Sequence, residues 1–466
     1  MASLPLPASV RAVLAGKEQL IRAGSWFVGV FVLMQVMRLG TNIGLAHLLR
    51  PELLGMMALI NTLRTAGELL SDIGIGQSVI KDKDGDKPYF YNTAWTLQIL
   101  RGCLLYVVAL AATVPIARLY DEPALLSVLP VAALIFVIMG FYSPGMFLLH
   151  KRIDAKRLSF LRLTCASIST VLHLGLAWYY DSIWALVAAL LISATIEIVI
   201  LFFAVDWRMH RLRLDRRAVR TIFGFGKWIF LSTLVYFLAG NFDRLYLADA
   251  VSFAALGVYG IARTFADTAM SLTQHISAQI LFPKVSGTEL RGAALRQALS
   301  PARRIVVWLI ALGMAAGIVV ADEFIRLAYD DRYQAAAFYL PVLLAGGWFG
   351  MLSAFSESIL MGIGKPSNVA MGNAAKLAAI VIFVPLVLPR YGMGAAVMVF
   401  AAVEFVRYAL LAVRQRAHGL SFWRQDAAAT GGFVVLAIAL REATGILGLT
   451  GGVAGWIAMT RQALGV

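Results

Sequence analysis

Charge is scarce in this chain: Asp, Glu, Lys and Arg make up 14% of 466 residues, too few to cover the surface of soluble domains of that size. Cysteine is nearly absent. Cys103 and Cys165 fall in separate apolar runs, which excludes a disulfide framework and leaves packing as their expected role. The six histidines have no metal-ligand spacing, so no metal is expected. Two ligand-binding loops are imitated but incomplete. "MGIGKPS" (361–367) has no Gly five residues before Gly364 and no hydroxyl after Lys365, which excludes a nucleotide-binding P-loop and direct ATP hydrolysis. "DKDGDK" (82–87) puts Lys87 where a calcium loop needs Gly, so it reads as a solvated turn. No cofactor is expected. A membrane glycan polymerase or ligase would carry a large external loop with catalytic side chains, and the longest external segment, near 322–334, is too short. The chain is therefore read as no enzyme.

What is abundant is hydrocarbon. Hydrophobic residues make up 60% of the chain and the mean hydropathy is +0.78. Apolar runs of about 20 residues, each long enough to cross a core of roughly 30 Å as a helix, recur from end to end. Fourteen candidate spans fit, from near 24–48 to near 445–460. The fold class expected is an all-α, multi-pass membrane protein. Residues 1–23 lack the continuous apolar core of a cleaved signal and read as an interfacial segment. With the N-terminus inside, 28 of the 41 Lys and Arg fall in cytoplasmic segments, 6 in external loops and 7 within spans. That bias puts both termini in the cytoplasm. The clusters "HKRIDAKR" (150–157) and "DWRMHRLRLDRRAVR" (206–220) then face one leaflet, where topology and anionic lipid, rather than nucleic acid, account for them.

An internal repeat organises the spans. Sliding the chain over itself by 202 residues aligns Gly24 with Gly226, Leu54 with Leu256, Gly55 with Gly257 and Gln77 with Gln279, among 9 identities in 57 positions. Six spans separate the two copies, so the halves share one orientation, as in transporters that bind substrate between parallel repeats. The expected organisation is an N-terminal interfacial segment (1–23), a first lobe of six helices (24–206), a basic linker (207–220), a second lobe of six (221–416) and a C-terminal helix pair (417–466).

Seven cations lie inside spans: Arg38, Arg64, Arg101, Arg244, Arg263, Lys376 and Arg407. Facing lipid, they would cost on the order of 20 kcal/mol together. They are therefore expected to line an interior with the embedded acids Glu68, Asp72, Glu197, Asp243, Asp267, Glu357 and Glu404. Arg64 with Glu68 and Arg263 with Asp267 have i,i+4 spacing, and Glu404 with Arg407 i,i+3. Arg64 and Arg263 both sit about 16 Å from the external ends of their spans at the helical rise per residue. Two readings follow: guanidiniums converging on an anion at the midplane, with forks suited to phosphate, or each neutralised by its local acid. Glu68, Asp267, Glu357 and Glu197 could equally serve a proton or sodium site or pair structurally; membrane potential is a further drive.

The stretch 223–287, with "NFDRLYL", "LGVYGIAR" and "LFPKVSG", resembles polysaccharide-export flippases of the Wzx type in the multidrug/oligosaccharidyl-lipid/polysaccharide superfamily. Weaker marks are "RLGTNIGLAHLLRPELLGMMALINTLR" near the start and "EFIRLAYDDRYQAAAFYLPVLL" further on. The resemblance covers about residues 20–390. It implies a fourteen-helix, two-lobe fold in the bacterial inner membrane that moves an undecaprenyl-diphosphate-linked oligosaccharide from the cytoplasmic to the external leaflet, with a polymerase and chain-length proteins as partners. It also implies substrate-binding arginines, carried over to Arg263, to Arg64 beside it and to Arg38; Arg244 and Arg101 are further candidates only as embedded cations. Asp243, within the same motif, is implied as a contact inside the second lobe. A cation or drug antiporter of the same superfamily is the alternative, because embedded cations and acids balance at seven each.

Overall fold

The apolar runs fold as helices. The computed structural model describes residues 29–72, 74–151, 155–204 and 210–464; the expected interfacial segment 1–23 lies outside them. In chain order the helices are α1 (Gly29–Leu48), α2 (Pro51–Leu70), α3 (Ile75–Lys81), α4 (Pro88–Leu119), α5 (Leu125–Ala132), α6 (Leu134–Gly140), α7 (Gly145–Lys151), α8 (Ala155–Tyr179), α9 (Ile183–Ala204), α10 (Arg216–Ala250), α11 (Phe253–Ile276), α12 (Phe282–Ser286), α13 (Gly292–Ala328), α14 (Ala336–Gly362), α15 (Pro366–Ala417), α16 (Trp423–Ile446) and α17 (Gly452–Leu464). Eight are long and apolar enough to cross a membrane, and no strand occurs among the described residues.

Four spans depart from a simple rod. The second, 53–80, breaks after α2: the Asp72 carboxylate accepts a hydrogen bond from the Gly74 N–H at 2.9 Å, an Asx turn that competes with the helix ladder. The fourth, 124–149, is three short helices, α5 to α7. Spans eleven and twelve are the two arms of α15, which turns at Gly392, where φ is +74°, a conformation that side chains other than glycine's rarely adopt.

Contacts divide the chain into two compact units, Met1–Leu48 with Leu70–Phe230, and Leu49–Leu69 with Leu231–Val466. In the first, Ile75, Val79, Phe90, Tyr91, Leu148 and Ile222 form a core cluster. The described part of the basic linker is docked rather than loose: the backbone N–H groups of Arg211, Arg213 and Asp215 donate to Asn92, Thr96 and Thr93 of α4 at 2.9–3.0 Å. Cys103, expected to pack, is exposed on α4, which suits a thiol on a lipid-facing surface.

In the second unit α14 lies at the centre. Trp348 is fully buried, stacks on Phe433 with ring centroids 4.8 Å apart and donates to Thr430 at 3.0 Å. Gly346 lets α14 approach the second arm of α15, since a methyl group there would fall 2.4 Å from the Ala401 Cα. The closest helix contact of this kind is between α2 and α11. A methyl group on Gly55 would lie 1.9 Å from the Phe253 carbonyl oxygen, and one on Gly257 would lie 2.1 Å from that of Pro51. Gly55 and Gly257, like Pro51 and Phe253, are related by the 202-residue offset, so the repeat is expressed here as a reciprocal contact of bare backbone.

Candidate substrate site within the second unit

α10 and α11 are joined by charge. Asp243 is buried; it accepts from the Tyr259 hydroxyl at 2.5 Å and from the Arg244 N–H at 2.9 Å, and it faces Arg263 Nη1 at 3.4 Å. Asp267, one helical turn from Arg263, is shared: Arg244 Nη2 donates to it at 2.8 Å, and Arg263 Nε lies 2.9 Å from its other oxygen. Arg263 Nε is nevertheless buried without a hydrogen-bond partner, so that contact is Coulombic and poorly aligned. Arg244 also reaches the Asn241 carbonyl oxygen at 3.2 Å.

A second cluster lies on α14 and α15. Lys376 Nζ bonds Glu404 at 2.5 Å, while Arg407 faces the other Glu404 oxygen at 3.7 Å and pairs with Glu357. Arg263 and Glu404 are within electrostatic reach of one another, and Tyr236 feels Arg407, Glu357 and Asp267. The two clusters together make a belt of four cations and four acids, formally neutral. The belt is graded in access. The side chains of Asp243, Glu404 and Arg407 are 5% exposed, that of Glu357 19%, that of Arg244 21% and that of Asp267 31%.

Of the other expected site residues, Arg64 lies on α2, and Arg101 and Arg38 lie in the first unit. Arg64 pairs with Glu68 at 2.7 Å on α2, with side chains 29% and 34% exposed. No charge contact joins Arg64 to Arg263; each holds a local acid. Arg101, in the first unit, donates to Ser71 at 2.9 Å and faces Asp72 at 3.9 Å. Arg38 is exposed on α1 of the same unit.

Two buried pairs escaped the sequence reading. Arg441, counted as a loop residue at the edge of a short span, forms a bidentate pair with Asp322 at 2.7 and 2.6 Å. Arg303, at the margin of its span, bonds Asp426 at 2.5 Å. Both join α13 to α16. An arginine at the border of an apolar run was the available signal.

Known proteins resemble this chain at two levels. The family model described as "Polysaccharide biosynthesis protein" matches residues 44–338. The teichuronic acid biosynthesis protein TuaB of Bacillus subtilis is 23% identical over 64% of this chain, and the lipopolysaccharide biosynthesis protein WzxC of Escherichia coli is 18% identical over 74%. The matches span 62% and 70% of those relatives, so the chain covers less than two thirds of the first. In three dimensions it is similar to the lipid II flippase MurJ in an inward closed conformation, with a TM-score of 0.74 over 94% of this chain and 98% of that one, at 11% identity. With the family match running through more than half of its length, from the last turns of α1 to the start of α14, this chain belongs to the polysaccharide biosynthesis protein family.

Proposed function

We propose that the protein is a flippase that carries a polyprenyl-diphosphate-linked oligosaccharide, with undecaprenol as the lipid, from the cytoplasmic to the external leaflet of a bacterial inner membrane for surface polysaccharide assembly. Its family and a fold like that of a lipid II flippase support this. The observation that carries the reading is the embedded charge belt of the second unit, in which Arg244 and Arg263 share the half-open Asp267.

The physical problem is to move a diphosphate through hydrocarbon, where an isolated anion is prohibitively costly. Bare guanidiniums waiting there would be equally costly, so local carboxylates keep the empty belt neutral. The diphosphate enters by replacing a carboxylate as counter-ion, and bidentate forks suit its oxygens. Asp267 and Glu357, the two most accessible acids of the belt, are the groups to be displaced; a proton taken up by either frees its arginine and couples transport to proton movement. The lipid tail stays in the bilayer, and lobe rocking gives alternating access.

The test is export in a null strain complemented with variants. Arg263→Ala is expected to reduce surface polymer by at least tenfold and to accumulate the lipid-linked precursor, at unchanged membrane abundance. Full export by this variant removes the assignment. A cation antiporter would show the opposite pattern, tolerating Arg263→Ala and failing with Asp267→Asn or Glu357→Gln.

A further inference from the structure

Outside the charge belt, the second unit carries a cleft of about 850 Å³ between the first turns of α13 and the connection from α15 to α16. Four arginines line it: Arg296 and Arg304 on one wall, Arg416 and Arg424 on the other. All four are exposed. None is in an ion pair among the described residues, and the lining contains no acid. Elsewhere in the unit, Arg244, Arg263, Arg303, Arg326, Arg332, Arg407 and Arg441 each hold a carboxylate.

The walls are built to a fixed spacing. On α13 the lining residues Arg296, Ser300, Arg304 and Trp308 recur every four positions, one stripe of a helix. Beneath them, Arg303 is buried and bonds both Asp426 at 2.5 Å and the Gln425 carbonyl oxygen at 2.9 Å, and Gln425 donates back to the Ser300 carbonyl at 3.0 Å. The Arg303 guanidinium also lies 4.6 Å from the Phe422 ring centroid. Four like charges are therefore held around one volume by a floor that does not neutralise them. A bias of Lys and Arg toward the cytoplasmic side accounts for basic residues at this end of the helices. It does not account for their convergence on one cleft without a counter-ion.

The surroundings specify which anion fits. Trp308 and Trp423 flank the cleft with 38% and 56% exposure, and indole rings of this kind settle at headgroup level. Immediately along α13, Ile305, Leu309 and Leu312 are 63%, 63% and 50% exposed, an apolar strip on which acyl chains can lie. Guanidinium forks match phosphate oxygens, and a cleft of one sign focuses their attraction. We propose that this cleft is a binding site for the phosphate of an anionic membrane lipid, with the acyl chains along Ile305, Leu309 and Leu312. It does not depend on what the protein transports.

Native mass spectrometry of the full chain, released from mixed micelles, tests it. The probes are phosphatidylglycerol, phosphatidylcholine and inorganic phosphate. The wild-type chain is expected to retain phosphatidylglycerol at a concentration where Arg296→Gln/Arg304→Gln/Arg416→Gln/Arg424→Gln retains at least tenfold less. Arg296→Gln/Arg424→Gln, one change on each wall, is expected to lose at least threefold and serves should the quadruple variant fold poorly. Phosphatidylcholine binding should be weak and unaltered, millimolar inorganic phosphate should not displace the lipid, and Arg390→Gln/Arg461→Gln, two exposed arginines outside the cleft, should bind like wild type. Equal retention by the cleft variants, displacement by inorganic phosphate, or an equal loss on removing Arg390 and Arg461 overturns the proposal.

Discussion

The second unit uses arginine–carboxylate chemistry in two ways. Between α13 and α16, Arg441 and Asp322 are 1% and 0% exposed, and Arg303 and Asp426 are 2% and 4% exposed. Arg441 has its remaining donors taken by the carbonyls of Gly452 and Val319, and its guanidinium lies over Trp456 at 4.9 Å. Both pairs are sealed from solvent, although Arg303 Nε and Nη2 find no hydrogen-bond partner, so they act as fasteners. Between α10 and α11, Arg244, Arg263 and Asp267 form pairs of similar length but are 21%, 13% and 31% exposed. A side of each pair stays open to exchange. The same two residue types thus fix structure where sealed and offer a replaceable counter-ion where accessible.

Breaking a sealed pair should have the largest effect on stability. Asp322→Leu strands a buried guanidinium and is expected to cost about 3–5 kcal/mol, read as a fall in the melting temperature of the purified protein in detergent. Asp322→Leu/Arg441→Leu should regain most of it, because apolar replacement of a whole buried pair is often close to neutral. Next is Tyr259→Phe, which removes one bond to the buried Asp243 carboxylate and should cost about 1.5–3 kcal/mol in the same measurement. Arg64→Ala should be the mildest. Its pair with Glu68 is about one third exposed, worth about 0.3–0.5 kcal/mol, so any large loss of export in that variant would mark a transport role instead of a structural one.

Much of the fold was legible in the chain because hydrocarbon imposes long apolar runs. The breaks were less so: the one after Leu70 lies in a run whose flanks remain apolar, and in 124–149 the break before α7 is marked by Gly140, Ser143, Pro144 and Gly145, whereas the one between α5 and α6 follows no change in composition. Within the site, spacing along one helix was readable, and Arg64 with Glu68, Arg263 with Asp267 and Glu404 with Arg407 all pair. Partners supplied by another helix were not. Glu404 is held chiefly by Lys376, 28 positions away, Asp267 is shared with Arg244, and Asp243 is bonded by Tyr259. No local period encodes such contacts. The sealed α13–α16 pairs went unread because Arg441 and Arg303 sit where an apolar run ends, and a residue at that border looks like part of a loop.

The meeting of Gly55 with Gly257 has a mechanical consequence. Ordinary helix seams interlock knobs in holes, and separating them demands rotamer changes and transient voids. Here each glycine meets the carbonyl and backbone nitrogen of the facing helix, so at this point backbone rather than side chain fills the seam. Such a joint can slide or open like two flat plates, so α2 and α11 have the one kind of junction in which close approach and easy release coexist.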